Sequence, residues 1–182
     1  MKLHSILGMV AAVLTLAGCS STPTKVDTGP IHARTFSFVN RGQAPDFADD
    51  RQAAHEMIQA AITKDLAARG VTRVASGGDV IVGYLVILGN NASTEAINTY
   101  FGYGQEADVL HDKAQAAYTS SKNPNYFEAG TLVIDIIDSK DYKLLKRNYA
   151  TQPVIRNITA EARAERIQEV VDEILKKLTI EQ

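Results

Sequence analysis

The spacing of apolar residues along the chain predicts four β-strands. Residues 34–39 alternate aromatic and polar side chains, which is typical of a strand with one buried face. Residues 80–88 are apolar and rich in β-branched side chains, which indicates a strand that is buried or nearly buried. Residues 131–138 and 142–150 flank a short polar turn, so they predict a β-hairpin.

Two longer segments predict amphipathic helices with one apolar stripe each. The first covers residues 48–69 and is followed by Gly70, a favourable residue for ending a helix. The second covers residues 159–178 and begins at Thr159, a favourable N-cap, with Glu161 in the first turn. Because each stripe needs an apolar partner, we expect both helices to pack against the sheet.

A long connection separates the second predicted strand from the third. A structureless segment of about forty residues is uncommon in a compact domain. Residues 94–101 and 106–118 have helical character, are joined by a Gly-Tyr-Gly segment, and are followed by a loop that contains Pro124. We therefore expect a helical excursion at this point of the chain.

These elements together predict an α+β fold. We expect a mostly antiparallel sheet of about four strands, with the two long amphipathic helices on one face. The helical excursion lies between the second and third strands. No internal repeat is visible in the sequence.

The N-terminus has the layout of a cleaved signal peptide. Lys2 and His4 precede an apolar stretch over residues 6–16, which ends in the motif Leu16-Ala17-Gly18-Cys19. The stretch is too short to span a bilayer, because a membrane helix needs about 20 apolar residues. The motif resembles the lipobox of bacterial lipoproteins. The alternative is an ordinary secretory signal in which the cysteine is a coincidence.

The lipobox resemblance implies a lipid anchor. It implies cleavage between Gly18 and Cys19, a diacylglycerol on the Cys19 sulfur, and a further fatty acid such as palmitate on its amine. Two or more acyl chains hold a protein firmly on a membrane, so the membrane is an expected partner. Apart from this covalent lipid on Cys19, we expect no cofactor. Ser20 and Ser21 replace the aspartate that, by the same resemblance, favours the inner membrane. We therefore expect the periplasmic face of the outer membrane.

This start divides the chain into three parts. Residues 1–18 are the predicted signal peptide, and residues 19–33 are the lipidated cysteine and a flexible tether. The polar, proline-containing composition after Cys19 cannot bury enough apolar area to order itself. Residues 34–182 form one globular domain of common size. Cys19 is the only cysteine, so the domain contains no disulfide and no thiolate.

Composition and charge exclude some partners. The apolar share of 45% and the charged share of 22% are typical of a globular protein. The formal net charge is −2, so there is no basic excess for nucleic acid, and we expect no nucleic-acid partner. No cluster of lysine and arginine along the chain indicates a surface for anionic lipid.

Several motifs combine into a family resemblance. The hairpin carries Tyr-Phe-Glu-Ala-Gly-Thr-Leu-Val-Ile-Asp-Ile-Ile-Asp at 126–138 and Lys-Leu-Leu-Lys-Arg-Asn-Tyr-Ala at 143–150. Gly-Asp-Val-Ile-Val-Gly-Tyr at 78–84, Tyr-Phe-Gly-Tyr-Gly at 100–104 and the C-terminal helix reinforce it. This combination resembles the domain of unknown function 4136 family of bacterial lipoproteins. Lys146 stands where many relatives have a tryptophan. The resemblance implies a fold and a location and no established activity.

No complete catalytic or metal-binding motif is present. His55 begins a segment like a zinc-protease helix, but Gln59 stands where the second histidine is needed, so we expect no metal site. Asp135 and Asp138 are three residues apart in a strand and point to opposite faces. We expect the protein not to be an enzyme. The alternative is a hydrolase whose site assembles from separated residues such as His55, His111 and Asp135.

Aromatic residues beside glycines form the remaining candidate site. Large rigid side chains of this kind often contribute most of the binding energy of an interface, which favours a partner-binding surface. The alternative is that these side chains cover the core of the protein's own domain. We predict a non-enzymatic role in binding an unknown envelope protein or ligand, or in envelope maintenance. The other possibility is an accessory activator of a cell-wall or transport machine. The possible partner-binding residues are Tyr100, Phe101, Tyr103, Tyr126 and Phe127.

Overall fold

A computed structural model describes residues 25–39, 49–87, 130–155 and 157–181. No helix in these ranges is both long enough and apolar enough to cross a bilayer. In chain order, the elements of the described residues are β1 (Val26–Asp27), β2 (Ile31–His32), β3 (Thr35–Phe38), α1 (Asp49–Ala68), β4 (Thr72–Arg73), β5 (Val80–Ile87), β6 (Thr131–Asp138), β7 (Leu144–Thr151), α2 (Ala160–Leu175) and β8 (Ile180–Glu181).

Six strands form one mixed sheet in the order β1-β7-β6-β5-β3-β4. β3 runs parallel to β4 and β5, and the pairs β5–β6, β6–β7 and β1–β7 are antiparallel. The predicted α+β class is confirmed, but the expectation of a mostly antiparallel sheet of about four strands is wrong. Along the chain, α1 connects β3 to its parallel partners β4 and β5. A helical crossover of this kind is the usual connection of parallel strands. Strands of two residues, such as β1 and β4, are too short to show an alternating pattern.

Part of the segment that the sequence assigns to the tether forms strands. β1 pairs with β7 in the large sheet, and β2 pairs in parallel with β8 in a separate two-stranded sheet. Ile31 N–H donates to the carbonyl of Thr179 at 3.0 Å, and the Thr28 hydroxyl donates to the carbonyl of Leu145 at 3.0 Å. The acceptors are backbone carbonyls of β7 and of the residue before β8, so backbone bonds to the rest of the domain order residues whose own composition is polar.

The long elements begin and end close to their predicted residues. α1 ends at Ala68, and Gly70 follows it with φ of +83°, a conformation that glycine adopts without strain. Thr159 is the N-cap of α2, because its hydroxyl accepts from Ala162 N–H at 3.2 Å. Both signals are local in the sequence, and the structure confirms both.

Both helices contact the same face of the sheet. The strand register puts Tyr84, Ile134 and Asn148 in one row across β5, β6 and β7. The Tyr84 hydroxyl accepts from Gln59 of α1 at 3.2 Å, and Asn148 Nδ2 donates to the carbonyl of Ile174 in α2 at 2.6 Å. The buried cluster between helices and sheet includes Phe36, Ile58, Ile62, Leu66, Val82, Ile134, Ile136, Val171, Ile174 and Leu175.

The other face of the sheet contains a buried ion pair. Asp135 and Arg147 are direct neighbours in the register of β6 and β7. Arg147 donates from Nε and Nη2 to the two carboxylate oxygens of Asp135 at 2.9 and 2.8 Å. The side chains are 0% and 1% exposed, so both charges are removed from water. A two-bond geometry of this kind offsets part of the desolvation cost.

The start of β5 is joined tightly to β3. A Cβ at Gly78 would lie 2.6 Å from the backbone of Phe36, so only glycine allows this approach. Asp79 Oδ2 accepts from the N–H groups of Arg34 and Thr35 at 2.9 Å each, and the Thr35 hydroxyl accepts from Asp79 N–H at 3.0 Å. The two backbone bonds hold the pKa of the Asp79 carboxyl below its ordinary value.

Candidate functional site

A groove opens between the β1 edge of the large sheet and the C-terminal end of α2. Its volume is about 440 Å³, and it is lined by residues of β1, β6, β7 and α2 and by the residues that follow α2. Its floor is apolar, because the side chains that close it belong to the core. These floor residues are Ile134, Ile136, Ile174, Leu175 and Leu178.

The rim of the groove is basic. Four lysines line it together with the carboxylates Asp27 and Glu173, which leaves an excess of two positive charges on a chain whose formal net charge is −2. Arg147 also lines the groove, but Asp135 balances its charge. The lysines, which we call the lysine rim, are Lys25, Lys146, Lys176 and Lys177.

The lysine rim is invisible in the linear sequence. Lys25 precedes β1, Lys146 lies in β7, and Lys176 and Lys177 follow directly after α2. The sequence therefore shows no basic cluster, and the pairing of β1 with β7 beneath the end of α2 creates one. The only sequence signal is the Lys176-Lys177 pair, which lies at the negative end of the helix dipole.

Two of the four lysines make defined contacts. Lys146 Nζ lies 2.7 Å from Asp27 Oδ1, and its side chain is 11% exposed. This hydrogen bond, with a further one from Gly29 N–H, lowers the pKa of the Asp27 carboxyl, so the carboxylate balances the charge of Lys146. Lys25 Nζ lies 4.7 Å from the centre of the Tyr149 ring, within the range of a cation–π interaction. Lys176 and Lys177 are exposed.

Asn148 supplies a polar group to the lining of the groove. Its side-chain nitrogen donates to the carbonyl of Ile174, one of the last carbonyls of α2, which have no partner inside the helix. Its Oδ1 is buried and has no hydrogen-bond partner in the described part of the chain. Apolar lining with few polar groups is the usual composition of a small-ligand site.

The histidine of the zinc-like segment has a structural contact. His55 Nδ1 lies 3.1 Å from the Tyr84 hydroxyl, which also accepts from Gln59. Gln59 Oε1 in turn accepts from Arg73 Nη2 at 3.2 Å. The side chains of His55 and Gln59 are both half-buried between α1 and the sheet. A tyrosine of the strand face provides their partner, and helical spacing alone does not show it.

Two of the separated residues of the hydrolase alternative, His55 and Asp135, lie on opposite faces of the sheet. His55 contacts Tyr84 on the helix-facing side of the sheet, whereas Asp135 is on the opposite side, beside Arg147. A proton cannot pass directly between groups on opposite faces of a sheet. His111 lies outside the described residues. Asp138 Oδ1 accepts from Lys140 N–H at 2.7 Å, so this carboxylate supports the hairpin turn.

Most of the site residues that the sequence predicts lie outside the described residues. This applies to the lipidation and cleavage positions Gly18 and Cys19, which remain predictions. The predicted accessory-activator role also remains a prediction. Within the ranges that the structure describes, no three histidine, cysteine or acidic side chains are grouped to hold a metal ion. The aromatic residues outside these ranges are Tyr100, Phe101, Tyr103, Tyr126 and Phe127.

Comparisons with known proteins identify a family and no activity. No curated protein matches the chain. One solved structure is similar, a PDZ domain protein from Parabacteroides distasonis, with 14% sequence identity and a TM-score of 0.40. The match covers 78% of this chain and 32% of that one, so the chain spans about a third of the length of that protein. The family described as Domain of unknown function (DUF4136) matches residues 25–178, and the chain therefore belongs to that family.

Proposed function

We propose that the protein is a lipid-anchored lipoprotein on the periplasmic face of the outer membrane, where it binds another envelope component in its groove. The observation that carries this proposal is the position of the groove next to the predicted anchor. Lys25 lines the groove and lies six residues after Cys19. Six residues of fully extended chain span about 20 Å. An anchor at Cys19 keeps the groove close to the membrane.

The composition of the groove supports binding. An apolar floor with a basic rim suits a ligand that has an apolar part and an anionic part. The buried Asn148 Oδ1 offers an acceptor to a donor group of such a ligand.

The contacts of the candidate acid–base groups favour binding over catalysis. The His55 ring is held against the Tyr84 hydroxyl, and the Asp135 carboxylate forms two bonds with Arg147. Each of these contacts joins two elements of the fold. We therefore assign these groups a structural role and propose a non-enzymatic protein.

Replacement of Cys19 by serine tests the anchor. The full chain and its Cys19→Ser variant are labelled in cells with a radioactive fatty acid, and the envelope is then separated into inner and outer membranes. We expect label in the unaltered chain in the outer-membrane fraction and none in Cys19→Ser, because a hydroxyl is a weaker nucleophile than a thiolate. A labelled Cys19→Ser protein contradicts the proposal.

A further inference from the structure

The lysine rim has a charge opposite to that of the chain as a whole. It carries an excess of two positive charges, whereas the formal net charge of the chain is −2. Three separated segments contribute to it, and Lys25, Lys176 and Lys177 are exposed. The groove is therefore positive on a chain that is negative as a whole, and it lies at the point where the described chain begins.

We propose that the lysine rim binds the anionic headgroups of phospholipids in the membrane that holds the protein's own anchor. This inference rests on the proposed function, because it identifies the envelope component that the groove binds. The phosphate of an anionic lipid contacts the lysine rim. The groove thereby fixes the orientation of the domain on the membrane.

The short distance to the anchor allows a small charge excess to act. Charges in physiological salt are screened beyond about 8 Å, so two positive charges attract a membrane only at close range. The chain between Cys19 and Lys25 spans at most about 20 Å, which permits that approach. The anchor holds the lysine rim at the membrane surface, so the contact with neighbouring headgroups costs less translational freedom than binding from solution.

The chemistry of the groove favours a phospholipid over other anionic partners. The floor beneath the lysines consists of core isoleucines and leucines, so it presents apolar surface beside the positive charges. A phospholipid joins an anionic phosphate, through a glycerol diester, to apolar acyl chains, and these two kinds of group match the two parts of the groove. A nucleic acid matches only the charge of the rim, and the experiment below separates a phospholipid from an acidic protein partner.

Amine footprinting of the lipidated full chain tests the inference. The chain is reconstituted into vesicles of phosphatidylcholine alone, or of phosphatidylcholine with phosphatidylglycerol in a ratio of seven to three. An amine-reactive reagent is added, and mass spectrometry gives the labelling rate of each lysine. Each lysine at the surface of an anionic membrane raises the affinity of a protein for that membrane about fivefold. We therefore expect roughly fivefold slower labelling of Lys25, Lys176 and Lys177 in the anionic vesicles, with no change at the exposed Lys64 of α1.

Charge reversal provides the matched comparison. In Lys176→Glu/Lys177→Glu we expect Lys25 to lose its protection. The double variant Lys64→Glu/Lys140→Glu changes the net charge equally at exposed positions outside the groove, and we expect it to keep the protection. Lys176→Gln/Lys177→Gln removes the two charges without adding carboxylates, and we expect an intermediate effect.

Each other outcome overturns the inference in a recognisable way. Flotation of the vesicles in a density gradient shows separately whether the chain is anchored. A chain that floats with both vesicle types, and whose lysines are labelled at equal rates in both, is anchored and does not bind anionic headgroups. Protection that appears only after envelope proteins are added assigns the groove to a protein partner. A chain that floats with neither vesicle type lacks the anchor, and the proposed function then fails together with this inference.

Discussion

Asp79 joins the starts of β3 and β5 through one carboxylate oxygen. Both backbone N–H groups that it accepts from belong to the residues at the start of β3, Arg34 and Thr35. These bonds favour the ionised carboxylate, so the pKa of Asp79 is lower in the folded chain than its ordinary value of 3.8. The stabilisation is therefore present above about pH 4 and is lost as the pH falls through the lower folded pKa.

Replacement of Asp79 by asparagine tests this linkage. We expect Asp79→Asn to unfold at a lower temperature than the unaltered chain at pH 7, and to lose less stability than the unaltered chain between about pH 4 and pH 2. Thermal melts at several pH values measure both effects. Asp172→Asn, at an exposed position of α2, controls for the loss of one charge. Parallel pH profiles for Asp79→Asn and the unaltered chain contradict the prediction.

The buried pair of Asp135 and Arg147 makes a second prediction. Arg147→Leu leaves the Asp135 carboxylate buried without this partner, and breaking such a pair costs about 3 to 5 kcal/mol. Asp135→Leu/Arg147→Leu removes both charges, so we expect its free energy of unfolding to lie above that of Arg147→Leu. Urea denaturation measures the three free energies. A double variant less stable than Arg147→Leu contradicts the assignment of the pair as a desolvated ion pair.

At the scale of elements, local sequence signals predict the long segments well. Apolar stripes predict α1 and α2, and runs of apolar residues on either side of turn residues predict β5 and the β6–β7 hairpin, each to within a few residues. The two-residue strands carry no such repeat, and only their partners determine them. The parallel direction of β3 and β5 depends on how α1 returns the chain, and that is a property of three elements together.

The docking of α2 can be tested with two neighbouring residues. Ile174 is 3% exposed and belongs to the buried cluster, whereas Glu173 is exposed. We expect Ile174→Ala to cost about 2 to 5 kcal/mol of stability through lost contacts and a cavity, and Glu173→Ala to cost under about 0.5 kcal/mol. Thermal melts of the two variants decide this. Equal melting temperatures contradict the docking of α2 on the sheet.

At the scale of the whole molecule, the sequence does not predict the groove. Its lining comes from segments that are distant in the chain, and the lysine rim forms only when β1 pairs with β7 and α2 lies across the sheet. The sequence also does not predict that residues 25–33 are ordered. An argument from composition counts apolar side chains, and it does not include the backbone hydrogen bonds that these residues form with partner strands. The α+β class, in contrast, follows from the repeat patterns of the long elements.

The pairing of β2 with β8 has a consequence for when the chain can finish folding. Ile31 is the direct partner of Ile180, so this contact closes a loop that contains nearly the whole domain. Contacts between residues so distant in sequence are costly in chain entropy and slow folding. The two-stranded sheet cannot form until Ile180 has left the ribosome. On the proposed function, β2 therefore finds its partner only after the segment that holds Ile180 has also crossed the membrane.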